Sequence, residues 1–137
     1  MEAKELMVRD LIYNHRNWVC QVIDINKEHV TVIAQQYGET PYRWEDIYPI
    51  PLTTEILEKN GFIKSAPLTP PGIHTKCYEC DNPKEKYHLT IADYNKYKRL
   101  LLNIDSKDSE CFNIKCEYVH QLQHALRLCG IKKEIII

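Results

Sequence analysis

Glycine is scarce in this chain, with four residues among 137. Such a composition leaves no glycine-rich loop to turn a row of backbone amides onto a phosphate, and neither a P-loop, a dinucleotide fingerprint nor a G-x-S-x-G elbow occurs. Enzymes built on those motifs are excluded. No apolar run approaches the ~20 residues that a membrane-spanning helix needs. The opening M-E-A-K-E-L-M-V-R-D places no apolar core behind a basic tip, so neither a membrane contact nor a secretory leader is expected. The expected location is the cytoplasm. Positive charge is not in excess either: 18 basic against 19 acidic side chains give a net charge of −1, which removes the electrostatic case for a general nucleic-acid binder.

What is present is the composition of an ordinary globular domain, 44% hydrophobic and 27% charged, in a chain long enough to bury its own core. A single domain over 1–137 is expected. Its clearest element is 117–129, where Tyr118, Val119, Leu122, Ala125, Leu126 and Cys129 recur at helical intervals. Gly130 can take the left-handed conformation that ends a helix, and Ile131 would then fall back on Leu126. The tail K-K-E-I-I-I (132–137) is β-branched and reads as a closing strand.

Earlier in the chain, residues 8–50 hold short runs rich in β-branched and aromatic residues at Leu11 to Tyr13, Trp18 to Ile25, Val30 to Ala34 and Pro41 to Pro49. Turn-forming residues separate them, which predicts a bent antiparallel β-module, SH3-like and barrel-shaped in the preferred version. A short helix over 53–60 follows, capped by Thr53 and closed by Gly61, with Phe62 standing to Leu57 as Ile131 stands to Leu126. The connection K-S-A-P-L-T-P-P-G-I-H (64–74) cannot be a regular element, and loops of that length are commonly functional. Beyond it, Tyr87 to Ile91 and Cys111 to Cys116 alternate as strands, and N-I-D-S-K-D-S-E (103–110) reads as a polar turn. Periodicity at 94–102 fits helix and strand about equally; its place between two strands favours strand. The predicted class is α+β, with a second antiparallel sheet and the 117–129 helix after the β-module and the Pro-rich connection of 51–75.

The stretches I-P-L-T-T-E-I-L-E-K-N-G-F (50–62) and Y-V-H-Q-L-Q-H-A-L-R-L-C-G-I (118–131), with the opening E-A-K-E-L-M-V-R-D-L-I-Y, resemble a group of small uncharacterised proteins of gut anaerobic bacteria associated with prophages and other mobile elements. The resemblance implies a shared fold and no activity. In that group a Leu-x-x-Gly-Asp-x-Val type of pattern leads into a β-rich module. Arg9 stands where the glycine would be, a departure that argues against a tight turn just before the first strand.

Three constellations bear on chemistry. C-Y-E-C places Cys77 and Cys80 at knuckle spacing, and C-F-N-I-K-C adds Cys111 and Cys116, four thiolates that a hairpin could bring to one zinc. Against this, the second spacing is wide, no glycine follows either pair, and residues 111 and 116 have opposite strand parity. The competing reading is six cytoplasmic thiols (20, 77, 80, 111, 116 and 129) that pack as small hydrophobes. His120 and His124 form H-Q-L-Q-H, the ligand spacing of zinc peptidases, but Gln121 occupies the general-base position, so hydrolysis by that route is not expected. The same face, Gln121, His124 and Arg127, reads better as a polar stripe toward a partner. Finally, K-E-K-Y-H (84–88) and Y-N-K-Y-K-R (94–99) interleave tyrosines with Lys96, Lys98 and Arg99 as a stacking and phosphate-contact surface would. Trp18 and Trp44 could line a peptide groove, although tryptophans in a small sheet are usually core.

The reading these observations favour is a non-enzymatic accessory protein of a phage or mobile element without a cofactor. It would bind another macromolecule, a protein first, through Lys96, Lys98, Arg99, Gln121, His124 and Arg127. The alternative is a zinc-stabilised nucleic-acid module held by Cys77, Cys80, Cys111 and Cys116.

Overall fold

Alternation of apolar and polar residues in the first fifty positions resolves into five antiparallel strands, β1 (Leu11–Asn14), β2 (Val19–Ile25), β3 (His29–Ala34), β4 (Gly38–Arg43) and β5 (Ile47–Pro49), ordered β4-β3-β2-β1-β5. The computed structural model describes residues 5–34, 36–65, 76–84, 87–94, 99–106 and 109–137, with the backbone alone described at 76, 93–94, 99–106 and 109–114. Two compact units divide the chain, one of residues 1–51 and 118–124, the other of 52–117 and 125–137.

In the first unit every second strand residue points inward, so Ile12, Cys20, Val22, Val30, Val32 and Ile47 gather with Leu6 into one buried cluster. Trp18, Ile25, Ala34, Tyr42 and Trp44 pack against it half-buried. The expected closed barrel is not found among the described residues. Each edge strand carries a proline, Pro41 in β4 and Pro49 in β5, which has no N–H to donate to a further strand. The run expected as one strand from 41 to 49 is broken by a 3-10 turn at Trp44–Asp46.

The second unit holds β6 (Ile63–Ser65), β7 (Lys76–Asn82), β8 (Tyr87–Tyr94), β9 (Arg99–Ser106) and β10 (Ser109–Lys115) in the order β10-β9-β8-β7-β6, an antiparallel meander. Of the ambiguous stretch 94–102, Tyr94 ends β8 and residues 99–102 are strand, with Leu102 opposite Ile91 of β8 and Ile114 of β10, while 95–98 lie outside the described residues. The polar turn expected over 103–110 does not form over 103–106, where β9 keeps its register, and the chain pairs again at Ser109. Polar composition did not end the strand, since both neighbours supply ladder partners as far as Ser106.

Helix α1 (Thr54–Lys59) begins with the Thr53 hydroxyl accepting from Ile56 N at 3.3 Å. Its end is a Schellman turn: Gly61 has φ of 84°, and Phe62 N donates to Leu57 O at 3.0 Å. Helix α2 (Val119–Leu128) ends by the same device, with Gly130 at φ 70° and Ile131 N donating to Leu126 O at 2.8 Å. Both were predicted. The closing strand over 132–137 is not formed. Instead the Asn60 side-chain amide pairs with the main chain of Ile136 in both directions, at 2.7 and 2.8 Å, and supplies in one residue the hydrogen bonds that a strand edge would have given. The observed class is α+β.

Candidate functional site

The turn between β1 and β2 is set by one buried side chain. Asn14, at the end of β1 and fully buried, accepts with Oδ1 from Arg16 N at 2.9 Å and from Trp18 N at 3.0 Å. Its Nδ2 donates to the Tyr42 hydroxyl at 3.2 Å. Asn17 takes the left-handed conformation, φ 59°, that asparagine tolerates better than most residues. The turn therefore presents Arg16 and Trp18 in fixed positions.

Tyr37 comes from the next turn on that side, between β3 and β4, where its N–H donates to Ala34 O at 3.2 Å and Gly38 follows at φ 67°. Its ring stacks on Trp18 with centroids 4.7 Å apart and planes 10° from parallel. The Arg16 guanidinium lies 5.1 Å from the centroid of the same indole. Trp18 is half-buried against the core cluster, whereas Tyr37 is 59% exposed. A cation, an indole and a phenol thus form one ladder with an exposed aromatic end. Such contacts contribute about 0.5–1.5 kcal/mol each. The chemistry this offers is recognition of flat or ring-shaped groups, held ready without ordering a loop. Trp44 has its Nε1 buried with no hydrogen-bond partner, and its ring packs on the core. A groove lined by both tryptophans is therefore not what the structure forms.

A second polar cluster lies inside the same unit. Met7 O accepts from Asp10 N at 3.1 Å across a turn in which Arg9 has φ of 77°, the left-handed third position of a type II turn. The turn that arginine argued against is therefore present. Arg9 N donates to Val22 O at 2.7 Å, so pairing with β2 holds a conformation that glycine would adopt freely. Asp10, fully buried, accepts with Oδ2 from Met7 N at 2.7 Å and from His124 Nε2 at 2.6 Å. Gln123 completes the turn, accepting from Leu11 N at 2.9 Å and donating to Arg9 O at 3.3 Å. His120 is buried, stacks on Tyr118 at 5.8 Å and meets His124 edge-on at 5.6 Å, while its Nδ1 has no hydrogen-bond partner. Burial pushes the His120 imidazole below its ordinary range, against the opposing pull of Asp10.

The residues expected to form a surface are placed as follows. Gln121 is half-buried and accepts with Oε1 from Tyr118 N at 3.1 Å, the return half of a capping box. His124 is directed at Asp10, and Arg127 is exposed. Lys96 and Lys98 lie outside the described residues, and Arg99 is described by backbone alone. Tyr87, expected to stack on bases, is buried. His88 stands between Glu79 at 3.7 Å and Asp81 at 3.9 Å.

Cys77 and Cys80 sit in a continuous strand rather than a knuckle turn, and their odd spacing sends them to opposite faces, each buried. Cys116 is fully buried and its thiol is pushed up to about 12 by that burial, so it is protonated at neutral pH. The side chain of Cys111 lies outside the described residues. Among the described residues no three histidine, cysteine or acidic side chains are placed to hold a metal, the H-Q-L-Q-H pair included. No helix among them is long and apolar enough to cross a membrane.

Sequence reasoning missed Asp10, Asn14 and Tyr37. A signal existed for Asn14 alone, in the Asn-x-x-Asn spacing of the turn. No protein-family model, curated protein or solved structure matches this chain.

Proposed function

We propose that this chain is a non-enzymatic accessory protein that binds another protein through the Arg16–Trp18–Tyr37 ladder. The carrying observation is the exposed Tyr37 ring stacked on an indole whose turn is locked by a buried asparagine. Aromatic surfaces held rigid in this way bind at low entropic cost, and extended peptides with ring-bearing residues suit them. The resemblance of its two motifs to mobile-element proteins supports a phage or mobile-element setting. The helix stripe carries less of this reading, because Gln121 and His124 are committed to internal bonds.

A library of extended peptides selected on the full chain, with counter-selection on Tyr37→Ala, tests it. Selected peptides are expected to perturb tryptophan fluorescence and to lose at least tenfold in affinity against the variant. Binders indifferent to Tyr37, or retention of single-stranded nucleic acid in their place, would remove the ladder as the contact.

A further inference from the structure

Of the asparagines in this chain, Asn60 alone is followed by glycine. The pair closes α1, and it is also where the tail of 131–137 is held. Asn60 is 5% exposed; its Nδ2 donates to Ile56 O and to Ile136 O, both at 2.7 Å, and its Oδ1 accepts from Ile136 N at 2.8 Å. Two of those three bonds go to the tail. Lys59 adds a further link by donating to Ile137 O at 2.8 Å, and Ile131 and Ile135 are buried.

An asparagine before glycine carries its own chemistry. The Gly61 main-chain nitrogen can attack Asn60 Cγ, because glycine has no Cβ to hinder the approach. The new C–N bond closes a five-membered imide as the bond from Cγ to Nδ2 breaks, and ammonia leaves with the proton of Gly61 N. Water then opens the imide at either carbonyl, giving aspartate or, with the chain rerouted through the former side chain, isoaspartate. One water is consumed and one ammonia is released, so no other reactant is needed.

In the closed structure this ring closure is opposed. Turning Cγ onto Gly61 N breaks the three side-chain bonds, and Gly61 N is itself donating to Glu58 O at 3.1 Å. The reaction therefore runs from the locally opened end of α1, a six-residue helix with little stability of its own, and the tail sets how often that end opens. Reclosing does not undo it. A carboxylate keeps the acceptor for Ile136 N but sets its second oxygen against the carbonyls of Ile56 and Ile136, a buried charge facing two acceptors where Nδ2 had donated.

We infer that Asn60 is a self-deamidation site restrained by the 131–137 tail, and that its conversion releases the tail irreversibly. The inference is independent of the aromatic ladder. The full chain held at mildly alkaline pH and mapped by mass spectrometry should convert at Asn60 about tenfold or more slowly than a peptide of residues 54–65. Ile135→Lys, which puts a charge at a buried tail position, should raise the rate in the full chain about fivefold or more. Adding Gly61→Ala to that variant should slow it again, because a Cβ beside the attacking nitrogen hinders closure, whereas loosening of the helix end alone would speed it. The converted chain, and Asn60→Asp made directly, should be cut by trypsin after Lys132 and Lys133 about tenfold faster than the native chain, with the tryptophan fluorescence transition unmoved.

Equal rates in the native and Ile135→Lys chains would overturn restraint by the tail. Acceleration by Gly61→Ala would overturn ring closure as the chemistry, and a tail as well protected in the converted chain as in the native one would overturn its release.

Discussion

The two units solve the problem of irregular chain differently. In the first, fully buried polar side chains do the ordering: Asp10 holds the turn before β1 and Asn14 holds the turn after it. In the second, both helix ends are closed by main-chain bonds at Gly61 and Gly130, and one amide, Asn60, fixes the tail. A buried acceptor positions a loop far more rigidly than a solvated turn, because leaving it without its donors costs the full desolvation of the group. That is why the exposed aromatic ladder stands on the first unit. Among the described residues the second unit gains regular ends and no comparable display.

The sharpest way to break this contrast is Asp10→Ala. It removes the acceptor of Met7 N and His124 together, and truncating one member of a buried pair costs about 3–5 kcal/mol. Both tryptophans, Trp18 and Trp44, belong to the first unit, so urea unfolding followed by their fluorescence reports that unit. Its midpoint is expected to collapse while far-UV dichroism retains a later transition from the second unit. A single coincident loss by both probes would show that the units do not unfold separately.

Asn60→Ala strikes the corresponding residue of the second unit. Loss of both bonds to Ile136 should cost about 1–3 kcal/mol. The expected signature is faster proteolysis of 131–137 with the fluorescence transition unmoved, and protection equal to the native chain would deny Asn60 its anchoring role.

Backbone conformation gives a smaller effect of opposite sign in the two units. Gly61→Ala puts a side chain at φ 84° and should destabilise the second unit by about 1 kcal/mol. Arg9→Gly relieves φ 77° in the first unit and should raise its fluorescence midpoint, by an amount equivalent to about 0.5–1 kcal/mol. A lower midpoint for Arg9→Gly would mean that the arginine side chain, not its backbone, matters there.

Titration separates the units most gently. His120 has a folded-state pKa below its unfolded value, so the unfolded chain binds the extra proton first. Its contribution is complete above the ordinary value of 6.5 and is lost as pH falls below it. Cys116, raised from 9.0 to about 12, does the reverse: its contribution is present below pH 9 and declines as pH rises toward 12. The fluorescence midpoint should therefore fall on the acid side, and His120→Gln should flatten that limb. In the dichroism transition, Cys116→Ala should flatten the alkaline limb. Limbs unchanged by these substitutions would assign the pH dependence to other groups.

Much of this architecture was legible because it depends on near neighbours in sequence. Thr53 acts on Ile56, Phe62 on Leu57 and Ile131 on Leu126, each within five residues of its partner, so the bounds of both helices could be read directly. Runs of β-branched and aromatic residues separated by turn residues placed strands of the first sheet for the same reason. Tertiary partners overruled local chemistry elsewhere. The polar run after residue 103 stays in a strand because β8 and β10 both pair with it, and the β-branched tail is no strand because Asn60 takes its main-chain bonds.

The candidate site follows the same division. Sequence could name Trp18, place His120 and His124 on one helical face, and set Cys77 and Cys80 at knuckle spacing. It could not join Tyr37 to Trp18, direct His124 onto Asp10, or separate Cys77 from Cys80 across a sheet. By itself, then, the sequence determined the class of fold, the helix ends and the alternation of the core, since those follow from spacing and backbone preference over a few residues. Only the tertiary structure decided which polar side chains are buried, where strands end and what the aromatics face. Those outcomes depend on partners up to 114 residues away, as Asp10 and His124 are, whose desolvated hydrogen bonds outweigh local propensity.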